Sequence, residues 1–292
     1  MASITLKQLK YCDAVARLGH FGRAAEVCAI SQPAISVQIR ELEETIGKQV
    51  FERGARQVRL TAFGADFVAR AREVLRAVDD LEDMGRVGED LAGRLRLGII
   101  PTVAPYLLPR VIGALARSYP ELELNVRETQ TENLLAGLRD GALDTAILAL
   151  PVSEPGLVEV PLFSESFVLV RPSADGDKPV PDAASLARMR LLLLEEGHCF
   201  RDQALSFCQM GAAVPRESMD GSSLSTLVQM VSAGIGVTLI PEMAVPVETL
   251  SADVAVARFP APEPERQIGM VWRQTSPLAE QFGVVAEVVR GL

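Results

Sequence analysis

The sequence predicts a mixed α/β chain in two parts: a small helical head closed by a hairpin, then a long helix leading into an α/β body of two lobes. Three observations carry this reading. Apolar residues recur at helical spacing up to about residue 60, residues 62–86 form one long amphipathic stripe, and from Gly93 strand-like and helix-like runs alternate. A length of 292 residues also exceeds the roughly 100–200 typical of a single domain. With 48% apolar and 23% charged residues the chain has the balance of a folding protein, which excludes wholesale disorder. No apolar run approaches the roughly 18 residues of a membrane helix, and Met1–Lys7 lacks the regions of a signal peptide. A cytoplasmic protein without membrane contact is expected. Two histidines, His20 and His198, cannot form H-E-x-x-H, and G-x-S-x-G, Walker and C-x-x-C motifs are absent. No metal, no cofactor and no familiar enzyme class is therefore expected.

Leu6, Leu9, Ala14, Val15 and Leu18 define a first helix over Thr5–Leu18, ended by Gly19. Phe21 begins a second, whose Ala24 and Ala25 permit close helix approach. Cys28–Ile30 break the chain before Ser31, an N-cap followed by Gln32 and Pro33 in the first turn, where proline costs no hydrogen bond. Ile35, Ile39, Leu42 and Ile46 then share one face, leaving Gln32, Ala34, Ser36, Gln38 and Arg40 outward. Short polar side chains near a helix N-terminus suit a DNA major groove, although an ordinary surface helix would show the same pattern. Charge agrees. The whole chain carries −9, yet Met1–Asp66 holds nine Lys and Arg against seven Asp and Glu, a basic head on an acidic body.

Gln49–Arg53 and Gln57–Leu60 form a hairpin pattern with a basic tip, a wing that would bring Arg53, Arg56 and Arg59 to phosphates. Thr61 caps a helix over Ala62–Arg86, with Phe67, Ala71, Val74, Val78 and Leu81 on a seam that calls for a partner helix. From Leu6 and Leu9, through Phe21, Ala24, Ala25, the run Ser31–Ser36, Ile39, Leu42 and Glu43, to Gly47, Phe51, Arg53, Arg56, Leu60, Thr61 and Gly64, the head closely resembles the LysR-type transcriptional regulators. The resemblance implies a winged helix-turn-helix over 1–61 and a linker helix over 62–90. It places Ser31, Gln32, Pro33, Ser36 and Arg40 at or near double-stranded promoter DNA, and Arg53 and Arg56 on phosphates.

The body over 91–292 reads as a βαβ alternation: Leu95–Ile100, Pro105–Arg117, Glu121–Arg127, Thr131–Arg139 and Thr145–Leu150, implying a parallel sheet. A second set runs from Phe163 to Val256, and Ile268–Arg273 with the helix from Ser276 returns to the first. Lobe I would take about 91–162 and 267–292, lobe II about 163–266. Two lobes with two crossovers can hold a small molecule between them. This layout resembles the periplasmic-binding-protein-like regulatory domain of the same family.

Leu191–Cys208 reads as a buried strand, a glycine turn and a helix. Cys199 falls in the first helical turn, where the dipole with His198 and Arg201 favours a thiolate; Cys208, nine residues on, has an apolar context. A helix keeps these positions about 13.5 Å apart along its axis, whereas a disulfide needs Cα atoms within ~7 Å. The pair is either transient, formed with refolding, or never forms. Two small hydrophobes that are cysteines by chance would read the same. Cys12 and Cys28 sit on apolar stretches and read as packed.

Gly197, His198, Cys199, Arg201–Ala204, Phe207 and Cys208 resemble the peroxide-sensing branch of the family, a likeness extending to Gly98–Pro109, Leu148–Leu150 and Val160–Phe163. It implies that Cys199 is peroxidatic and Cys208 resolving. Thr102, Thr131 and His198 would help hold hydrogen peroxide, and Arg266 would steady the Cys199 thiolate. Glu265, where a second basic residue occurs in relatives, leaves the ion pairing of Arg266 open. Further implied are a homodimer assembling into a homotetramer, RNA polymerase as partner and a cellular thiol reductant for reset. Competing expectations are a regulator answering to a small organic anion between its lobes, a thiol peroxidase, and a metabolite-binding protein without DNA activity.

Overall fold

Thr5 opens the first helix: its hydroxyl accepts the Gln8 amide at 3.2 Å while the Gln8 side chain accepts the Thr5 amide at 3.0 Å, a capping box ahead of α1, Leu6–Leu18. The computed structural model describes residues 3–52, 58–84, 91–208 and 220–292. They fall into two units, Met1–Val87 and Gly88–Leu292.

In the first unit Gly19 ends α1 in the left-handed region at φ 60°, and α2 follows over Phe21–Val27. His20 caps it, its Nδ1 accepting the Gly22 and Arg23 amides at 3.0 and 3.3 Å. Ser31 caps α3, Gln32–Ile46, by accepting the Ala34 amide at 3.3 Å. Ile35, Ile39 and Leu42 of α3 are buried with Cys12, Val15, Ala24 and Ala25 in one core. Glu43 ties the end of α3 to the hairpin, accepting the Val50 and Phe51 amides at 2.8 and 3.1 Å. Phe51 bridges Leu60, and the Glu52 amide bonds Arg59 O, so the base of the wing forms. Its tip, with Arg53 and Arg56, lies outside the described residues. Ser31→Ala is expected to destabilise this unit by about 1 kcal/mol. Urea unfolding of the full chain checks it, an unchanged first transition counting against the cap.

Thr61 caps α4, Ala62–Met84, accepting the Gly64 amide at 2.9 Å. A side chain at Gly64 would stand 2.0 Å from Val50 O, so only glycine lets α4 leave the hairpin there. The expected seam divides along its length. Val68 and Ala71 pack into the head and Arg72 bonds Asp13 at 2.6 Å, while Val74 and Leu81 are exposed.

The second unit starts with β1 (Gly93–Ile99), α5 (Ala104–Ser118), β2 (Leu122–Glu128), α6 (Thr131–Arg139) and β3 (Thr145–Leu150), close to the expected boundaries. β4 then runs without a break over Leu157–Pro172. After it come α7 (Ala183–Leu186), β5 (Leu191–Leu194), α8 (Cys199–Phe207), β6 (Asp220–Gly221), α9 (Leu224–Ser232) and β7 (Val237–Pro241). α10 (Val245–Glu248), β8 (Val254–Arg258), β9 (Glu265–Arg273) and α11 (Ala279–Arg290) complete the chain. Strand order is β2-β1-β3-β9-β4-β7-β5-β6, with β8 also beside β4. Parallel pairing, expected throughout, holds only on the flanks, β1 with β2 and β3, and β5 with β6 and β7. The centre is antiparallel because β4 and β9 serve both lobes. Two apolar cores result. One gathers residues from Leu91 to Leu162 and Ile268 to Val289, the other residues from Phe167 to Phe259.

Candidate functional site

Four leucines of β5 end at Glu195, and the turn through Gly197 sets the start of α8. Gly197 has φ 92°, and a Cβ there would lie 2.6 Å from Gln130 Oε1. The left-handed backbone strains any side chain there, and one would have to push the Gln130 amide aside. Gln130 Nε2 donates to Glu196 O at 3.4 Å, so the loop before α6 in one lobe rests on the loop before α8 in the other.

Cys199 is the first residue of α8, where the dipole favours an anion, although the Arg201 amide of that turn bonds His198 O at 2.9 Å. It is half-buried and packs against the core of the first lobe. Cys208 is the C-cap of the same helix, its amide bonding Ala204 O at 3.1 Å, and its thiol is 1% exposed. Burial pushes that thiol up to about 11, so it rests protonated. All four cysteines are free. Burial likewise pushes Cys12 up to about 12, its carboxylate neighbours Asp13 and Glu43 adding to the effect, and Cys28 is raised for the same first reason. Both belong to the packing of the head, as expected.

The two basic neighbours of Cys199 are engaged differently than the sequence suggests. Arg201 Nη1 donates to Leu194 O at 2.6 Å and to Asp220 at 2.9 Å. His198 is buried, and burial lowers its pKa below the ordinary value of 6.5, with Glu195 opposing. The imidazole is therefore neutral at pH 7. Because the folded form binds this proton less readily than the unfolded chain, stability falls as pH drops through the unfolded value near 6.5. Urea titrations of the wild type at pH 7.5 and 5.5 are expected to show this loss, and His198→Gln to reduce it. An equal loss in the variant would contradict a buried neutral imidazole.

Arg266, on β9, is buried, its side chain 0% exposed. Nε donates to Glu165 Oε2 at 2.9 Å with Nη2 in ion-pair contact with the same oxygen at 2.8 Å, Nη1 donates to Thr102 Oγ1 at 2.8 Å, and Nη2 donates to Thr102 O at 3.0 Å. Its guanidinium carbon stands 5.3 Å from the Phe200 ring centroid, one residue from Cys199. Glu165 faces Arg266 across the β4–β9 ladder. That pairing was not legible locally, because 101 residues separate the two. Thr131 begins α6, and its Oγ1 is buried without a hydrogen-bond partner among the described residues.

Thr102 and His198 line one cavity of about 380 Å³ between the lobes, together with Tyr106, Gln130 and Ser225. Tyr106 and Ser225 both donate to Glu248, each at 2.6 Å, linking the two lobes at the cavity wall. Burial and Glu248 raise the Tyr106 pKa, keeping the phenol neutral. The ionisable residues lining it are Glu128, Glu195, Glu248, Tyr106 and His198, with no Lys or Arg among the described residues.

The DNA-facing candidates belong to the first unit, and those among the described residues are on or just before α3. Ser31, Gln32, Pro33 and Arg40 are exposed and Ser36 is half-buried, an arrangement open to a groove.

Residues 6–65 match the family model described as "Bacterial regulatory helix-turn-helix protein, lysR family", and residues 88–291 the "LysR substrate binding domain". The chain is 44% identical over 292 residues to the "DNA-binding transcriptional dual regulator OxyR" of Escherichia coli (strain K12), covering 98% of this chain and 95% of that protein. It is 40% identical over 290 residues to the "Probable hydrogen peroxide-inducible genes activator" of Mycobacterium leprae, covering 98% and 93%. Among solved structures, full-length OxyR of Pseudomonas aeruginosa with a Cys-to-Asp substitution superimposes with TM-score 0.80 at 37% identity, over 99% of this chain and 96% of that one. A Cys-to-Ser mutant of Corynebacterium glutamicum OxyR with hydrogen peroxide bound gives TM-score 0.67 at 37% identity, over 99% and 92%.

Proposed function

The chain belongs to the LysR family of bacterial transcription regulators, and we propose that it senses hydrogen peroxide through a reversible Cys199–Cys208 disulfide that alters how its heads engage promoter DNA. The observation that carries this is the placement of the two thiols on α8, Cys199 at its N-terminal residue and Cys208 buried at the far end. The Cys199 thiolate attacks one peroxide oxygen. The O–O bond breaks, hydroxide leaves and takes a proton as water, and sulfur becomes a sulfenic acid. Cys208 sulfur then displaces the sulfenic oxygen, forming the S–S bond and releasing water that carries the Cys208 proton. Peroxide is reduced and the two thiols are oxidised, so reset needs a thiol reductant.

Thr102 and Thr131 hold the peroxide. Thr102 Oγ1 already accepts from Arg266, which leaves its hydrogen to be donated, and Thr131 Oγ1 has no other partner. Neutral His198 offers one donor and one acceptor at the cavity it lines with Thr102; Thr131 follows the lining residues Thr129 and Gln130 and does not itself line it. Arg266 acts on Cys199 through Phe200 and Thr102. In the heads, Ser31, Gln32, Pro33, Ser36 and Arg40 contact the groove and Arg53 and Arg56 the phosphates. The exposed Val74 and Leu81 support pairing of α4 with its copy, in a dimer that assembles further to a tetramer and contacts RNA polymerase. The cytoplasm, where a thiol reductant is at hand, is the compartment that fits.

A small organic anion between the lobes is disfavoured, since the charged groups lining the cavity are carboxylates. Intact mass with peptide mapping tests the proposal, before and after one equivalent of peroxide. A loss of ~2 mass units localised to a Cys199–Cys208 crosslink is expected. An unchanged mass, or oxidation at Cys12 or Cys28 instead, would overturn it.

A further inference from the structure

We infer that Glu165, on the strand shared by both lobes, is a positioning residue for the peroxide reaction: it fixes Arg266, and through Arg266 the hydroxyl of Thr102. This rests on the peroxide site proposed above and adds to it a residue outside the cysteine motif. Glu165 is 7% exposed. Both of its oxygens are used as acceptors. Oε2 accepts the Nε–H of Arg266 and lies 2.8 Å from its Nη2, and Oε1 accepts the Met243 amide at 3.0 Å. The carboxylate thus joins β9 to the turn after β7 and balances a guanidinium with no exposed side-chain surface.

What Arg266 has left defines the consequence. With Nε bonded to Glu165 and Nη2 in ion-pair contact with it, the guanidinium plane is fixed, and Nη1 and Nη2 donate to Thr102 Oγ1 and O. Fixing Oγ1 as an acceptor commits its single hydrogen to a donor direction away from Arg266. A hydroxyl with one available direction orients peroxide, whereas a free rotor does not. The same plane lies over Phe200, so the start of α8 is referenced to the same charge pair.

Glutamine at 165 keeps the shape but offers one acceptor end and one donor end. Either Arg266 or the Met243 amide then faces an N–H group, and the guanidinium loses its fixed plane. The test uses the full chain with Cys208→Ser, so that Cys199 reports a single step. Initial rates of Cys199 oxidation by hydrogen peroxide are compared with rates of its alkylation by iodoacetamide, which does not use the Thr102 hydroxyl, over a range of pH. Glu165→Gln is expected to lower the peroxide-to-alkylation ratio about tenfold, as for loss of one charged hydrogen bond. In a Thr102→Val background the same change should matter less than about twofold, since coupled residues do not add.

A ratio unchanged in Glu165→Gln while Thr102→Val slows peroxide would overturn the positioning role alone, as would a full tenfold loss in the Thr102→Val background. Thr102→Val with no effect would sink the peroxide site and this role with it. Should Glu165→Gln fail to fold, Arg266→Lys takes its place in the same cycle. It keeps the charge beside Glu165 but lacks a second nitrogen for Thr102, and the same drop is expected; an unchanged ratio would again overturn the role.

Discussion

Serine at position 199 is expected to abolish the peroxide response, leaving the protein in its reduced mode of DNA binding at every peroxide level. A serine hydroxyl forms no sulfenic acid, so the first step is lost rather than slowed. No other thiol is expected to replace it. Burial pushes Cys12 up to about 12 and Cys208 up to about 11 and raises Cys28 as well, so none of the three is favoured as the thiolate that attacks peroxide first. Because α3 and its cap belong to the first unit, duplex binding by reduced protein should be the same for Cys199→Ser and wild type. Promoter binding and transcription in vitro, with and without peroxide, measure this. Induction surviving in Cys199→Ser would place sensing elsewhere. Cys208→Ser separates the two steps: oxidation of Cys199 persists, and the crosslink does not form.

Arg266→Ala is expected to cost the body about 3–5 kcal/mol, the usual penalty for breaking a buried ion pair and stranding its partner. Glu165 would remain 7% exposed with only the Met243 amide, and Thr102 would lose two donors. For a unit of this size the melting temperature falls by roughly 10 °C. Replacing both members by methionine should cost far less, because no charge is then left unpaired. Calorimetry on the full chain decides it. A single-variant loss under about 1 kcal/mol, or a double variant as damaged as the single, would mean the pair is not held as a buried unit.

The head was nearly fully legible because its signals are local. Leu6, Leu9 and Val15, then Ile35, Ile39 and Leu42, repeat at helical spacing between caps that Thr5, Ser31 and Thr61 supply. His20 was missed as a cap because histidine is an uncommon one, and only its neutral Nδ1 can accept the two amides. The body was legible in its flanks and misread at its centre. β4 holds Pro161, and its register with β9 shifts between Pro161 and Phe163. A proline inside an alternating run reads as a break, so the strand seemed to start at Phe163 rather than Leu157. Cys199, Cys208 and His198 stand in one short segment and could be found there. Glu165, Tyr106, Ser225 and Glu248 could not, since each acquires its role from a strand register or a lobe contact that sequence spacing does not encode.

The central claim is that an intact α8 and a Cys199–Cys208 bond are mutually exclusive. Nine helical residues set the two positions about 13.5 Å apart along the axis, and a disulfide needs less than ~7 Å between Cα atoms. Hydrogen exchange of the full-length chain, reduced and peroxide-treated, reads this directly at the amides of residues 203–207, which the helix protects. Once the crosslink has formed, that protection is expected to be lost. Equal protection in a sample whose mass proves the disulfide would contradict it.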